Sequence, residues 1–132
     1  EVKSKFNANT DVKYTVSLEK LTIDSGKTQI PEDEIKIYVE DFEGKTVLKP
    51  TKISDLDNYN LFIKTDRHSK DNEEISSKYR LKVWLDESVD VFTNQNRQYK
   101  FKIHIIATLT VFLSAHTASA HSVLTLIISM GR

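Results

Sequence analysis

The 132-residue chain contains no cysteine. A disulfide, a thiolate metal site and a cysteine nucleophile are therefore excluded. Glycine is almost as scarce: Gly26, Gly44 and Gly131 stand alone. They cannot build a phosphate-cradling loop, and no P-loop, dinucleotide fingerprint or Gly-x-Ser-x-Gly elbow occurs. So little glycine also argues against a collagen-like or linker-rich protein. Charge of either sign is missing as an excess, since 19 Lys and Arg balance 19 Asp and Glu. A nucleic-acid binder would carry a basic surplus, so nucleic acid is not an expected partner. Balanced charge gives little self-repulsion and suits association with copies of the same chain.

Metal and catalytic motifs are missing too. No His-Glu-x-x-His occurs, and His116 and His121 are five apart, which places them on one face of neither a helix nor a strand. His104 alternates outward with Lys100 and Lys102 and reads as a surface residue. Asp55-Leu56-Asp57-Asn58 lacks the glycine and distal glutamate of a calcium loop and reads as solvated loop. Glu32-Asp33-Glu34 after Pro31 reads as an acidic turn. No metal, no cofactor and no catalytic residue is expected.

What is present is a period of two. Every charge among the first 19 residues sits at an odd position, while the even positions read Val2, Ser4, Phe6, Ala8, Thr10, Val12, Tyr14, Val16 and Leu18. That is a strand with one wet and one dry face. It exceeds the usual strand length of about 5–6 residues. Asn7, Asn9 and Asp11 favour a turn, so two strands with a joint near residues 7–11 are expected. The first is a short amphipathic arm that either closes its own sheet or reaches into another subunit.

Further strands are expected over residues 35–39, 46–49 (ended by Pro50), 59–65, 79–85 and 99–107, with turns at 24–27 and 43–45. Residues 54–60 read as polar loop or a helical turn, and residues 66–77, strongly hydrophilic, as exposed loop. Asn94-Gln95-Asn96 reads as a loop between the last two strands. No sustained 3.6-residue pattern occurs before residue 109. About seven strands in one domain of this length predict an all-β, antiparallel β-sandwich, jelly-roll-like. The organisation is an N-terminal arm at 1–11, a sandwich at 12–108, and an uncharged apolar tail at 109–132.

Two segments carry a family resemblance. Residues 79–87, Tyr-Arg-Leu-Lys-Val-Trp-Leu-Asp-Glu, are followed by Asn94-Gln95-Asn96 and by residues 99–108, Tyr-Lys-Phe-Lys-Ile-His-Ile-Ile-Ala-Thr. With residues 14–18 and 35–39 they resemble the core strands of the camelysin and TasA-like proteins, exported surface and biofilm-matrix proteins of Gram-positive bacteria. The resemblance covers residues 12–108 and contains no catalytic motif; the peptidase activity ascribed to some camelysins finds no motif here. It implies a secreted jelly-roll subunit that polymerises, the N-terminal segment of one copy completing the sheet of the next. Val2, Phe6 and Ala8 would be the donor residues. The acceptor groove would be lined by Tyr79, Leu81, Val83 and Leu85 from one strand and by Tyr99, Phe101, Ile103 and Ile105 from the other. A chain that opens on Glu1 rather than Met fits removal of a signal peptide, the preferred reading, or a trimmed N-terminus.

The tail departs from that pattern. After Lys102 the next formal charge is Arg132. Leu109, Val111 and Leu113, then Leu124, Leu126, Ile128 and Met130, keep a strand period, so an added β-hairpin is expected; a membrane span would place His116, Thr117, Ser119 and His121 at mid-bilayer. Trp84 lies on the outward parity beside Arg80 and Lys82, as a candidate interface residue. The expected partners are further copies of this chain, with a cell-surface anchor or minor subunit at the fibre base. The competing readings are a monomeric surface adhesin or binding module, and a jelly-roll virion protein.

Overall fold

The computed structural model describes residues 1–90, 96–111 and, as backbone, 121–128. Among these the chain is an all-β sandwich with short 3-10 turns as its helical content. The strands are β1 (Val2–Phe6), β2 (Thr10–Leu21), β3 (Thr28–Gln29), β4 (Ile35–Asp41), β5 (Thr46–Lys52), β6 (Asn60–His68), β7 (Glu73–Ser77), β8 (Tyr79–Leu85), β9 (Arg97–Gln98), β10 (Lys100–Val111) and β11 (His121–Ile128). One antiparallel sheet has the order β11-β10-β2-β6, and a second has the order β5-β4-β8. Strands β1 and β7 form a separate antiparallel ribbon, and β3 pairs with β9 in parallel.

The period of two explains β2. Thr10, Val12, Tyr14, Val16 and Leu18 are all buried on one face. Ile35, Ile37 and Val39 of β4 face them across the sandwich and, with Ile53, Leu61 and Ile105, form one core. The facing layer is in two parts. The β5-β4-β8 sheet covers the half of β2 that carries Val16 and Leu18. The β1-β7 ribbon covers the half that carries Thr10 and Val12: Ser4 contacts Asp66 and His68, and these lie directly opposite Val12 and Thr10 in the β2-β6 register.

Strand β6 contains the decisive irregularity. Val16 pairs with Phe62 but Ser17 pairs with Asn60, so Leu61 is an extra residue. Such a bulge bends the strand and re-aims the side chains beyond it. Leu61 and Phe62 both turn toward the core, and from there the even residues Lys64, Asp66 and His68 point inward. Ile63 is turned outward and left 57 % exposed. Simple alternation would have placed Ile63 in the core beside Leu61.

Two expectations from the sequence are corrected here. Residues 66–77 are not an exposed loop: β6 runs through His68, β7 follows, and Asp66 and His68 are buried. Asp66 is met by Ser4 of the arm and by Lys64, and His68 Nε2 by Ser4. Pro50 does not end a strand. It lies within β5, an edge strand whose pairing to β4 shifts register between Ile37 and Val39. An edge or a bulge is where a residue without an N–H is tolerated. Gly44, at φ +87, sits in the β4-β5 turn, a conformation that side chains with a Cβ avoid.

At the C-terminal end, β10 continues to Val111 and β11 pairs back onto it, from Ile103 opposite Ile128 to Thr110 opposite His121. Leu113, Met130, His116, Asn94 and Gln95 lie outside the described residues. Among the described residues no helix is long and apolar enough to cross a membrane.

The inverted parity of β6 is testable by paired substitutions. Ile37→Ala, at a position with 0 % exposure, should lower unfolding free energy by about 2–5 kcal/mol. Ile63→Ala should change it by no more than about 0.5 kcal/mol in urea denaturation. Similar losses at the two positions would contradict the placement of the bulge.

Candidate functional site: the N-terminal arm and its seat

The arm is β1, and it lies on its own chain. Val2 pairs with Ser77, Ser4 with Ile75 and Phe6 with Glu73 of β7. Period two turns Val2, Ser4 and Phe6 to the sandwich and Lys3 and Lys5 to solvent. Val2 and Phe6, two of the three expected donor residues, are half-buried against the core. Ala8 lies beyond β1, in the reversal between β1 and β2. Asn9 adopts φ 61 there, a left-handed conformation that Asn tolerates better than most residues. The tip of the β6-β7 loop clasps this reversal: Ala8 N–H donates to Asp71 Oδ1 at 3.0 Å and Asn72 N–H donates to Asn7 Oδ1 at 3.3 Å.

Beneath the arm is a buried polar seat. Ser4 Oγ donates to Asp66 Oδ2 at 3.1 Å and lies 2.9 Å from His68 Nε2. A hydroxyl has one proton to give, and here it goes to the carboxylate, so the network assigns the proton of His68 to Nε2, which donates to Ser4. Asp66 is 3 % exposed and His68 0 %. Lys64 Nζ pairs with Asp66 Oδ1 at 3.3 Å and also meets Ser77 Oγ. Phe6 stands edge-on to His68, ring centroids 5.5 Å apart. Burial first, and the nearby Asp66 second, push the Tyr14 hydroxyl well above the ordinary phenol range.

The trio of Ser4, His68 and Asp66 does not form a nucleophile. In a catalytic triad the carboxylate orients the imidazole, which in turn takes the serine proton. Here Asp66 bonds the serine itself, and Nδ1 of His68 has no partner among the described residues. The arrangement holds a strand in place.

Next to the seat is an apolar cavity of 160 Å³. It brings together Val2 of the arm with Tyr79, Leu81, Ile103 and Ile105, four of the eight expected groove residues. The others are elsewhere. Leu85, Tyr99 and Phe101 are half-buried against the core, and Val83 is 40 % exposed on β8, the edge of its sheet. Trp84, opposite Lys36 of β4, is half-buried. Among the described residues the large exposed aromatic is instead Phe42, with the Arg80 guanidinium 4.6 Å above its ring.

Sequence reasoning missed Ser4, Asp66 and His68 because each reads as an ordinary polar surface residue. The available signal was Ser4 on the dry parity of the arm. It also missed a second polar cluster, at the end of the sandwich beyond Leu18. There Glu32 accepts the hydroxyls of Tyr59, at 3.0 Å, and Tyr99, at 3.2 Å, and pairs with Lys20. The Glu32 hydrogen bond raises the Tyr59 hydroxyl, and burial followed by Glu32 raises that of Tyr99. Among the described residues no group of His, Asp and Glu is arranged to hold a metal ion.

The chain matches no protein-family model, no curated protein and no solved structure.

The clasp on the arm should respond to acid. Glu73, the first residue of β7, accepts N–H bonds from Ser69 at 2.7 Å and Lys70 at 3.1 Å. These hold its carboxyl below the ordinary value of 4.5. A depressed folded-state value means the stabilisation is present above 4.5 and is lost as pH falls through the lower value. The amide resonances of Ser69 and Lys70 should therefore titrate with a midpoint below 4.5, and Glu73→Gln should remove that titration. A midpoint at or above the ordinary value would contradict the two bonds.

Proposed function

We propose that this chain is an extracellular structural subunit. It polymerises into a surface fibre or biofilm-matrix filament by exchanging β1 between copies, as its resemblance to the camelysin and TasA-like proteins implies. The observation that carries the reading is the join between β1 and β2. The chain reverses at residues 7–9, yet those residues keep the alternation of the strands on either side: Asn7 and Asn9 at wet positions, Ala8 at a dry one. A turn has no need of that pattern. Straightened, residues 2–21 would form one continuous strand, with the arm carried off its own body and its dry face intact.

The energetics fit an exchange. The arm makes the same contacts with its own β7 or with that of a neighbour, so concentration and the strain of the reversal decide between the two forms. An arm that leaves cannot leave its seat empty, because Asp66 and His68 would lose their partner in a largely dry site. A neighbour's arm restores it. A head-to-tail exchange whose rotation does not close into a ring generates a filament. Main-chain pairing along β7 gives affinity, and the side chains of alternate residues give selectivity.

A monomeric surface adhesin or binding module is the second reading, favoured by the ribbon closed within one chain. One experiment separates the two. Lys3 and Ser76 lie directly opposite each other and both are exposed, and the chain has no cysteine of its own. Full-length Lys3→Cys and Ser76→Cys chains, mixed at high concentration and oxidised, should form a disulfide between the two different chains, at the short separation of opposed strand residues. Formation of that bond only in the doubly substituted single chain, never across the mixture, would refute exchange and leave the monomeric module.

A further inference from the structure

A strand is usually received by an apolar trough, in which pairing along the backbone sets little more than direction. The seat of β1 is different. Its floor is Asp66 and His68, both almost fully buried, and their bonds to the arm go through one hydroxyl, that of Ser4. We propose that this floor reads the sequence of the strand laid on it. It takes, along the β7 edge, an extended segment with a hydroxyl side chain at one position and apolar side chains two positions to either side. The segment it takes from outside its own chain is residues 2–6 of a second copy. The second half of this inference rests on the exchange proposed above; the first half does not.

Three contacts make the reading specific. Val2 lines the apolar cavity, Ser4 bridges Asp66 and His68, and Phe6 meets the edge of the imidazole. A slip of one residue would turn Lys3 and Lys5 inward, toward Lys64. A slip of two would put Val2 or Phe6 where Ser4 lies and strand two buried polar groups at once. The floor therefore rejects the wrong register by the same chemistry with which it rejects the wrong strand.

The test is a competition between peptide donors, which bring no seat of their own. Full-length Ser76→Cys chains are mixed with equal amounts of two peptides of residues 1–9, both Lys3→Cys and of different isotopic mass, one otherwise intact and one also carrying Ser4→Val. The intact donor should be captured in at least about tenfold excess, the factor expected for a bond to a charged acceptor. A donor carrying Ser4→Thr, which keeps the hydroxyl, should compete on nearly equal terms. Equal capture of the intact and Ser4→Val donors would overturn the inference while leaving exchange in place. If no donor is captured, exchange itself fails and the second copy is removed as occupant. The floor is then read within one chain by amide exchange over residues 2–6. Protection lowered at least about tenfold by Ser4→Val and kept by Ser4→Thr sustains the reading of the strand. Equal protection in both overturns it.

Discussion

The extra residue at Leu61 is the constraint on which the arm and its seat both depend. By taking one residue out of register with β2, it turns Lys64, Asp66 and His68 into the sandwich and Ile63 out of it. A buried carboxylate left without its partner costs about 3–5 kcal/mol, so the inward row has to be met by polar groups from the facing layer. Lys64 provides one, and Ser4 provides the other from 62 residues away in the chain. Without the bulge the same strand would turn Ile63, Thr65 and Arg67 inward instead, and Ser4 would meet neither Asp66 nor His68.

The arm is therefore part of the body of the protein rather than an appendage. With β7 it roofs the half of β2 that the β5-β4-β8 sheet does not reach. The roof is connected to the floor through the reversal at residues 7–9 and clasped there by Asp71 and Asn72. In the proposed polymer that roof would come from another copy's terminus instead of the chain's own. The roof keeps the edge of β7 occupied, which protects against uncontrolled strand pairing.

Much of the sandwich was legible in the sequence because its elements obey local rules. The even residues of β2 from Thr10 to Leu18 and the Ile35, Ile37, Val39 face of β4 are buried as a period of two requires. The amphipathic arm was legible for the same reason, while on β8 Tyr79, Leu81 and Leu85 are half-buried as alternation requires but Val83 is exposed. What could not be read was set by pairing at a distance. Leu61 and Ile63 look like two residues of one dry face, and only the register against Val16 and Ser17 shows that a residue has been inserted between them. Asp66 and His68 look like solvent-facing residues because their partner is remote in the chain. Pro50 looks like a stop because the edge position that tolerates it is a property of the sheet.

The central claim is that β1 seals the polar floor. It is tested most directly by the reactivity of His68 toward diethyl pyrocarbonate, with the half-buried His104 as internal reference. In the intact chain His68 should react far more slowly than His104. Phe6→Ala, which thins the roof over the imidazole, should accelerate His68 alone while circular dichroism shows the sheets retained. A His68 that reacts as fast as His104 in the intact chain, or one indifferent to Phe6→Ala in the folded variant, would contradict the account.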